Sequence, residues 1–414
     1  MSASLPQPTH TASSQRLWGA IALLLVIAFV SGGGGSKFGL ANLVVQLAAF
    51  ALLAAFPAQV LRFWREAPLA LRALTAASLL VPALQLIPLP PGIWTLLPGR
   101  DLVVDSLEAA RLEQGWLPFS TYPLRTALAL SALVTPLAIV MLGWNLPRHQ
   151  LLNLGWLVVG LALVTFVIGT VQVSTGKLLN LWPEGLDIKM LTGTFANRNS
   201  AGLFLIGGLG LAICLPAPRP HPAVLPLRIA VVVALLVAVV LTKSRTAFVL
   251  ALMPLLLGLF HVTAAITHRA SGKAKARGWL IAAAVLALGG AAIAGTVALA
   301  PGRVAETLER FEGAAKDSRK YIWEDATYAA SRYWPLGAGM GTFDDVFQVD
   351  EALENIGQRR AGRVHNDFIE VAIEAGLPGL VLVAGWLGLI ALLIWQARRS
   401  SDRWVAWAAA SFLL

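Results

Sequence analysis

Residues 151–172, LLNLGWLVVGLALVTFVIGTVQ, hold 22 positions without one Asp, Glu, Lys or Arg. As a helix rising ~1.5 Å per residue the run reaches ~33 Å, enough to cross a hydrocarbon core of roughly 30 Å. Working outward, charge-free or nearly charge-free stretches recur at 17–30, 39–60, 73–88, 126–144 and 199–215, then at 229–242, 246–266, 278–300 and 376–395. With 151–172 these make ten candidate spans. An eleventh opens at Trp404, where the eleven residues to Leu414 reach only ~16 Å, so this helix is expected to be cut short by the end of the chain.

The composition agrees. Of 414 residues 57% are hydrophobic and 13% charged, with mean hydropathy +0.71, against about 45–50% and about 25% in soluble domains. An ordinary globular domain, a disordered chain, a coiled coil and collagen are all excluded. The lone cysteine, Cys214, gives neither a disulfide framework nor a thiol metal cluster. The net charge of +10 is scattered between apolar runs and forms no stripe or arm, so nucleic acid is not the partner it indicates.

The basic residues report topology instead. Only Arg16 flanks the first run, which reads as a retained helix and not as a signal-peptide core. With a cytoplasmic N-terminus, loops 61–72, 145–150, 216–228, 267–277 and 396–403 lie inside with 3, 1, 2, 4 and 3 basic residues. Short loops 31–38, 173–198 and 243–245 lie outside with 1, 3 and 2. Two long loops also fall outside. Residues 89–125 are rich in proline and aromatics and suit a membrane-surface segment with Trp94 and Trp116 at headgroup depth. Residues 301–375 carry 9 basic and 14 acidic residues, net −5, so the positive charge belongs to the membrane part. The expected organisation is a cytoplasmic tail 1–16, nine spans over 17–300, an outer cap 301–375, and a tenth span with a cut eleventh over 376–414. No internal repeat of 20–50 residues is visible.

Within the cap, SRKYIWEDATYAASRYWP reads as a helix with Ser318 as N-cap. Ile322, Ala326, Ala329 and Tyr333 share one face, and Pro335 sets the end. PLGAGMG follows as a structural turn, since no strand precedes it and it does not fit the phosphate-loop pattern. HNDFIEVAIEA, from His365 to Ala375, reads as a second helix running through Gly376 into the last complete span.

Four polar residues stand where an apolar chain has reason to avoid them. Arg245 sits in a three-residue outer hairpin, Arg198 just before a span, Arg319 at the start of the cap helix, and His365 near the outer boundary. Each has a plainer role: interfacial snorkelling for Arg245 and Arg198, a solvated surface for Arg319, packing or capping for His365. As a set, three cations and a titratable imidazole on one side of a membrane suit a phosphate group beside a base. A polyprenyl-pyrophosphate sugar has that chemistry, with a tail for the bilayer, a pyrophosphate for arginine and a sugar for the outer compartment. Asp344 and Asp345 are adjacent, so their side chains point apart, and no third ligand accompanies them, which argues against a metal.

The run TGTFANRNSAGLFL, then SRTA, then SRKYIWEDATYAASRYWPLGAGMGTF, then RVHNDFIEVAIEAGLPGL resembles the O-antigen ligase and O-antigen polymerase (Wzy-like) superfamily. The likeness covers residues 191–395. It implies an all-α polytopic membrane protein, a GT-C-like bundle of about eleven to twelve spans with a helical periplasmic cap, in the bacterial inner membrane. It also implies an inverting, metal-independent glycosyltransferase with no cofactor, using an undecaprenyl-pyrophosphate-linked glycan donor. Arg198, Arg245 and Arg319 would bind the pyrophosphate and His365 would act on the acceptor hydroxyl. The acceptor is lipid A-core for a ligase, the reading placed first, or a growing glycan for an O-antigen or exopolysaccharide polymerase. A protein O-glycosyltransferase and a lipid-linked glycan transporter stand behind these. A transporter would be expected to show repeat symmetry and interrupted helices at the midplane, and would have no use for the outer cap.

Overall fold

The structure, a computed structural model, describes residues 9–35, 38–176, 178–182, 190–219, 221–267, 319–356, 361–400 and 403–410. The protein is an all-α polytopic membrane protein. Among the described residues the one strand pair is β1 (Pro88–Leu89) against β2 (Leu117–Pro118), antiparallel. Five helices there are long and apolar enough to cross a membrane, Ser13–Gly34, Pro123–Gly143, Arg148–Thr175, Val224–Leu241 and Asp367–Ala397. The expected span 278–300, the N-cap Ser318 and residues 301–318 of the cap lie outside the described residues.

Two expected spans are broken by sequence features that spacing alone hid. The N-terminal helix is α1 (Thr9–Ser31), and residues 39–60 divide into α2 (Gly39–Ala55) and α3 (Pro57–Glu66). Pro57 has no N–H to continue the ladder, and Phe56 before it is held out of the helical region at φ −125° and ψ 51°. The stretch 246–266 divides into α11 (Arg245–Leu250) and α12 (Leu252–Thr267). The other expected spans among the described residues coincide with α4 (Leu69–Leu84), α7 (Pro123–Gly143), α8 (Arg148–Thr175), α9 (Arg198–Cys214) and α10 (Val224–Leu241). Between α4 and α7 lie the short helices α5 (Pro91–Trp94) and α6 (Asp101–Ala109). After α12 come α13 (Arg319–Arg332), α14 (Phe343–Asp350), α15 (Asp367–Ala397) and α16 (Arg403–Ala410).

The chain divides into two compact units. In the first, α9 is the axis, wrapped by α8, α10, α11, α12 and α16. Its GLFLIGGLGLAIC sequence is buried on nearly every side. Glycine is needed for that approach: a Cβ on Gly208 would come 2.6 Å from the Ala162 Cβ of α8. At the N-terminal end of α9, Ala196 N–H donates to Gly33 O (2.8 Å), Leu191 N–H to Leu241 O (3.0 Å) and Ser244 Oγ to Asn199 Oδ1 (2.7 Å). At its C-terminal end the Arg228 guanidinium donates to Ile213 O (3.1 Å) and Leu215 O (2.7 Å), satisfying carbonyls the helix leaves open.

In the second unit α4 meets the membrane part of α15, where Trp386 Nε1 donates to Ser78 Oγ at 3.0 Å. Above this contact the loop 85–125 and the cap are one structure. Thr121 N–H donates to Ala338 O (2.8 Å), Thr126 Oγ1 to Met340 O (2.9 Å), and Arg125 pairs with Asp345 (3.2 Å) and Asp344 (3.7 Å). Within loop 89–125, Trp94 is fully buried with its Nε1 on Gly115 O (2.9 Å), while Trp116 is exposed. Arg100 is also buried and donates to Pro118 O (3.2 Å) and to Phe119 O. Burial holds its guanidinium below the ordinary arginine range, partly offset by Tyr333. The cap helix behaves as its periodicity dictates: Ala326, Ala329 and Tyr333 are buried with Ile322 packed on them.

Candidate functional site

Each unit carries two of the four expected site residues. In the first unit Arg198 opens α9 and Arg245 opens α11. The segment that delivers Arg198 is shaped by one side chain, Gln172 near the end of α8. Its Nε2 donates to Gly193 O (2.8 Å) and Leu179 O (3.1 Å), and its Oε1 accepts from Gly193 N–H (2.9 Å) and Thr192 Oγ1 (3.2 Å). Trp182 Nε1 donates to Thr194 O at 2.7 Å. The TGTF stretch is thereby held as an irregular segment by Gln172 and Trp182. Asn197 then caps α9, its Oδ1 accepting from Asn199 N–H at 2.8 Å, and the Arg198 guanidinium reaches Met190 Sδ at 3.0 Å.

Arg245 is positioned by Ser244, which caps α11 through Ala247 N–H (3.2 Å) and donates to Asn199 Oδ1. The expected hairpin is therefore a capped helix start, because Ser244 offers the acceptor that an N-cap needs. The Ser244–Asn199 bond ties the starts of α9 and α11, so the segments bearing Arg198 and Arg245 meet. Between them the sequence reading passed over Lys243, which is 4% exposed with φ of 53°. A lysine this buried is uncommon. No spacing signal separates it from its neighbour Arg245; its burial comes from the turn that closes α10 against α9.

In the second unit Arg319 opens α13, one turn ahead of Trp323. Trp323 Nε1 donates to Val364 O at 3.0 Å, which joins α13 to the residue preceding His365. His365 itself does not lie on α15 as expected. The helix starts at Asp367, and His365 stands two residues before it, exposed, with φ of 60°. Asn366 is the reason: its Oδ1 accepts from Phe368 N–H (3.1 Å) and Ile369 N–H (3.3 Å), so the helix is capped there. A left-handed backbone at a non-glycine residue costs about 1–3 kcal/mol and persists only where its surroundings impose it.

Three carboxylates near this point have structural duties. Glu374 is buried and accepts from Phe343 N–H at 3.1 Å. Glu370 accepts from Val364 N–H at 3.2 Å and pairs with Arg363 at 2.9 Å. Asp325 holds Ala352 N–H (3.2 Å) and Asn355 Nδ2 (2.8 Å). PLGAGMG is a structural turn. Its amides at Ala338 and Gly339 donate to Ile373 O (2.7 Å) and Glu374 O (2.9 Å), and Gln85 Oε1 accepts from Met340 N–H at 2.9 Å.

No curated protein matches the chain. Residues 230–384 match the family model described as O-antigen ligase. That stretch contains Arg245, Arg319 and His365, together with the turn and the helix start that position His365. Over those residues the chain is similar to the O-antigen ligase family.

Proposed function

We propose that the protein is an O-antigen ligase that moves a glycan from undecaprenyl pyrophosphate to lipid A-core on the periplasmic side of the bacterial inner membrane. The observation that carries the reading is the pair of cation-bearing helix starts tied by Asn199 and Ser244, within a chain matched to the ligase family. A cation at the first position of a helix is disfavoured by the helix dipole unless an anion is bound nearby. Arg198, Arg245 and Arg319 all occupy such positions, and in this reading they bind the pyrophosphate.

His365 then acts as general base. It takes the proton from the acceptor hydroxyl as that oxygen bonds to the anomeric carbon, and the bond from that carbon to the pyrophosphate oxygen breaks on the opposite face. The configuration inverts, and arginine forks stabilise the charge gathering on the leaving oxygen. General-base help of this kind is typically worth roughly 10²–10⁴-fold. His365→Ala is expected to lower turnover by that order while donor binding persists. At limiting donor the rate should climb with pH and level off once the imidazole has lost its proton. No step calls on a metal, so EDTA should leave activity intact; loss restored by magnesium would promote Asp344 and Asp345 to candidate ligands.

Deletion in the native host, followed by envelope glycan analysis, tests the acceptor. Free core with accumulated lipid-linked polymer is the expected result. Core bearing a single repeat unit would instead mean a polymerase.

A further inference from the structure

The residue before His365 is held at every polar backbone atom it has. Val364 is fully buried, its N–H donates to Glu370 Oε2 at 3.2 Å, and its carbonyl accepts from Trp323 Nε1 at 3.0 Å. On the other side Asn366 is fixed by its cap on α15. His365, with φ of 60°, is thus an exposed residue strung between two clamped ones. The Glu370 carboxylate is buried. Glutamine there could accept the same N–H, and a buried ion is costly to keep unless it is paired. It is paired, by the 71% exposed Arg363 at 2.9 Å, two residues before His365. The loop 363–365 is therefore gripped from below at two successive residues by one carboxylate.

We infer that Glu370 is a positioning residue for His365: through Val364 and Arg363 it imposes the left-handed backbone that presents the imidazole. This rests on the reading of His365 as the base. Misplacing a catalytic group by about 1 Å costs on the order of 10²-fold in rate, so Glu370→Ala is expected to lower kcat by about 10–100-fold with little change in KM for the donor. Glu370→Gln, which keeps the acceptor for Val364 N–H, should recover most of that loss.

The test uses full-length protein in nanodiscs with an undecaprenyl-pyrophosphate-linked glycan as donor and purified lipid A-core as acceptor. Turnover is measured for wild type, Glu370→Ala, Glu370→Gln, His365→Ala and the double variant, and amide hydrogen exchange is followed over the peptide 361–369. Support consists of faster exchange confined to that peptide in Glu370→Ala, with a turnover loss that vanishes in the His365→Ala background. Unchanged exchange in Glu370→Ala overturns the proposal, as does a turnover loss of equal size in both backgrounds. Near-normal turnover in His365→Ala overturns the base reading and this role with it, whereas the previous two outcomes leave the base reading standing. Should Glu370→Ala fail to insert, Trp323→Phe, which removes the bond to Val364 O, carries the same comparison of exchange and turnover.

Discussion

At the scale of single residues, the choice of arginine over lysine is the most telling. Arg245 stands at a helix start whose cap, Ser244, is buried and bonded to Asn199, so its Cα has little freedom to drift. A bidentate fork placed this way can meet two phosphate oxygens at once, which a lysine point charge cannot do. Arg245→Ala is expected to lower transfer by about 10²–10³-fold, the range seen when one preorganised charge-stabilising donor is removed. Arg245→Lys should recover only part of it. Both variants should accumulate in the membrane at wild-type levels by immunoblot, and wild-type transfer by Arg245→Ala would reduce the residue to an interfacial anchor.

Among the elements, α15 shows how a long helix can be broken without an unsatisfied group. Gly376 has φ 57° and ψ −145°, so Ile373 O cannot receive Leu377 N–H, and Pro378 has no N–H to offer Glu374 O. The PLGAGMG turn takes both carbonyls, with Gln85 Nε2 adding a second bond to Glu374 O at 3.0 Å, and Leu377 N–H goes to Pro335 O at 2.8 Å. Gly376→Ala would place a Cβ 2.7 Å from the Leu336 carbonyl carbon in a backbone region reserved for glycine. A loss of about 1–3 kcal/mol follows, to be read as a lower thermal midpoint of the detergent-solubilised protein. On α8 the corresponding device is Gln172. Gln172→Ala strips the partners from Gly193 and Thr192 and should cost about 1–3 kcal/mol per buried group left open, with faster hydrogen exchange over 190–197.

For the whole molecule the testable quantity is sidedness. Loop 85–125 and the cap share hydrogen bonds, and the distribution of Lys and Arg leads us to propose that both lie on the periplasmic face. Because Cys214 is buried and is the sole cysteine, a thiol introduced at the exposed Ser331 of α13 meets no competing background. Ser331→Cys should react with an impermeant maleimide in intact spheroplasts. Labelling that appears only after the inner membrane is permeabilised would reverse the topology.

The sequence by itself determined the all-α, membrane-spanning character of the chain and the buried face of α13. Each of these is local: a charge-free run has one way to satisfy its backbone in a bilayer, and an apolar stripe recurs at helical spacing wherever it folds. What only the tertiary structure decided lies in bonds between distant residues. Gln85 and Glu374, which seal the break in α15, are 289 positions apart. The burial of Lys243 depends on α10 closing against α9. The clamp on Val364, next to His365, depends on Trp323 reaching its carbonyl across 41 positions. Hydrophobic periodicity reports which face of an element seeks apolar surroundings. It carries no information about which carbonyl will be claimed by a turn arriving from elsewhere, and that claim is what sets the backbone at Gly376 and presents His365.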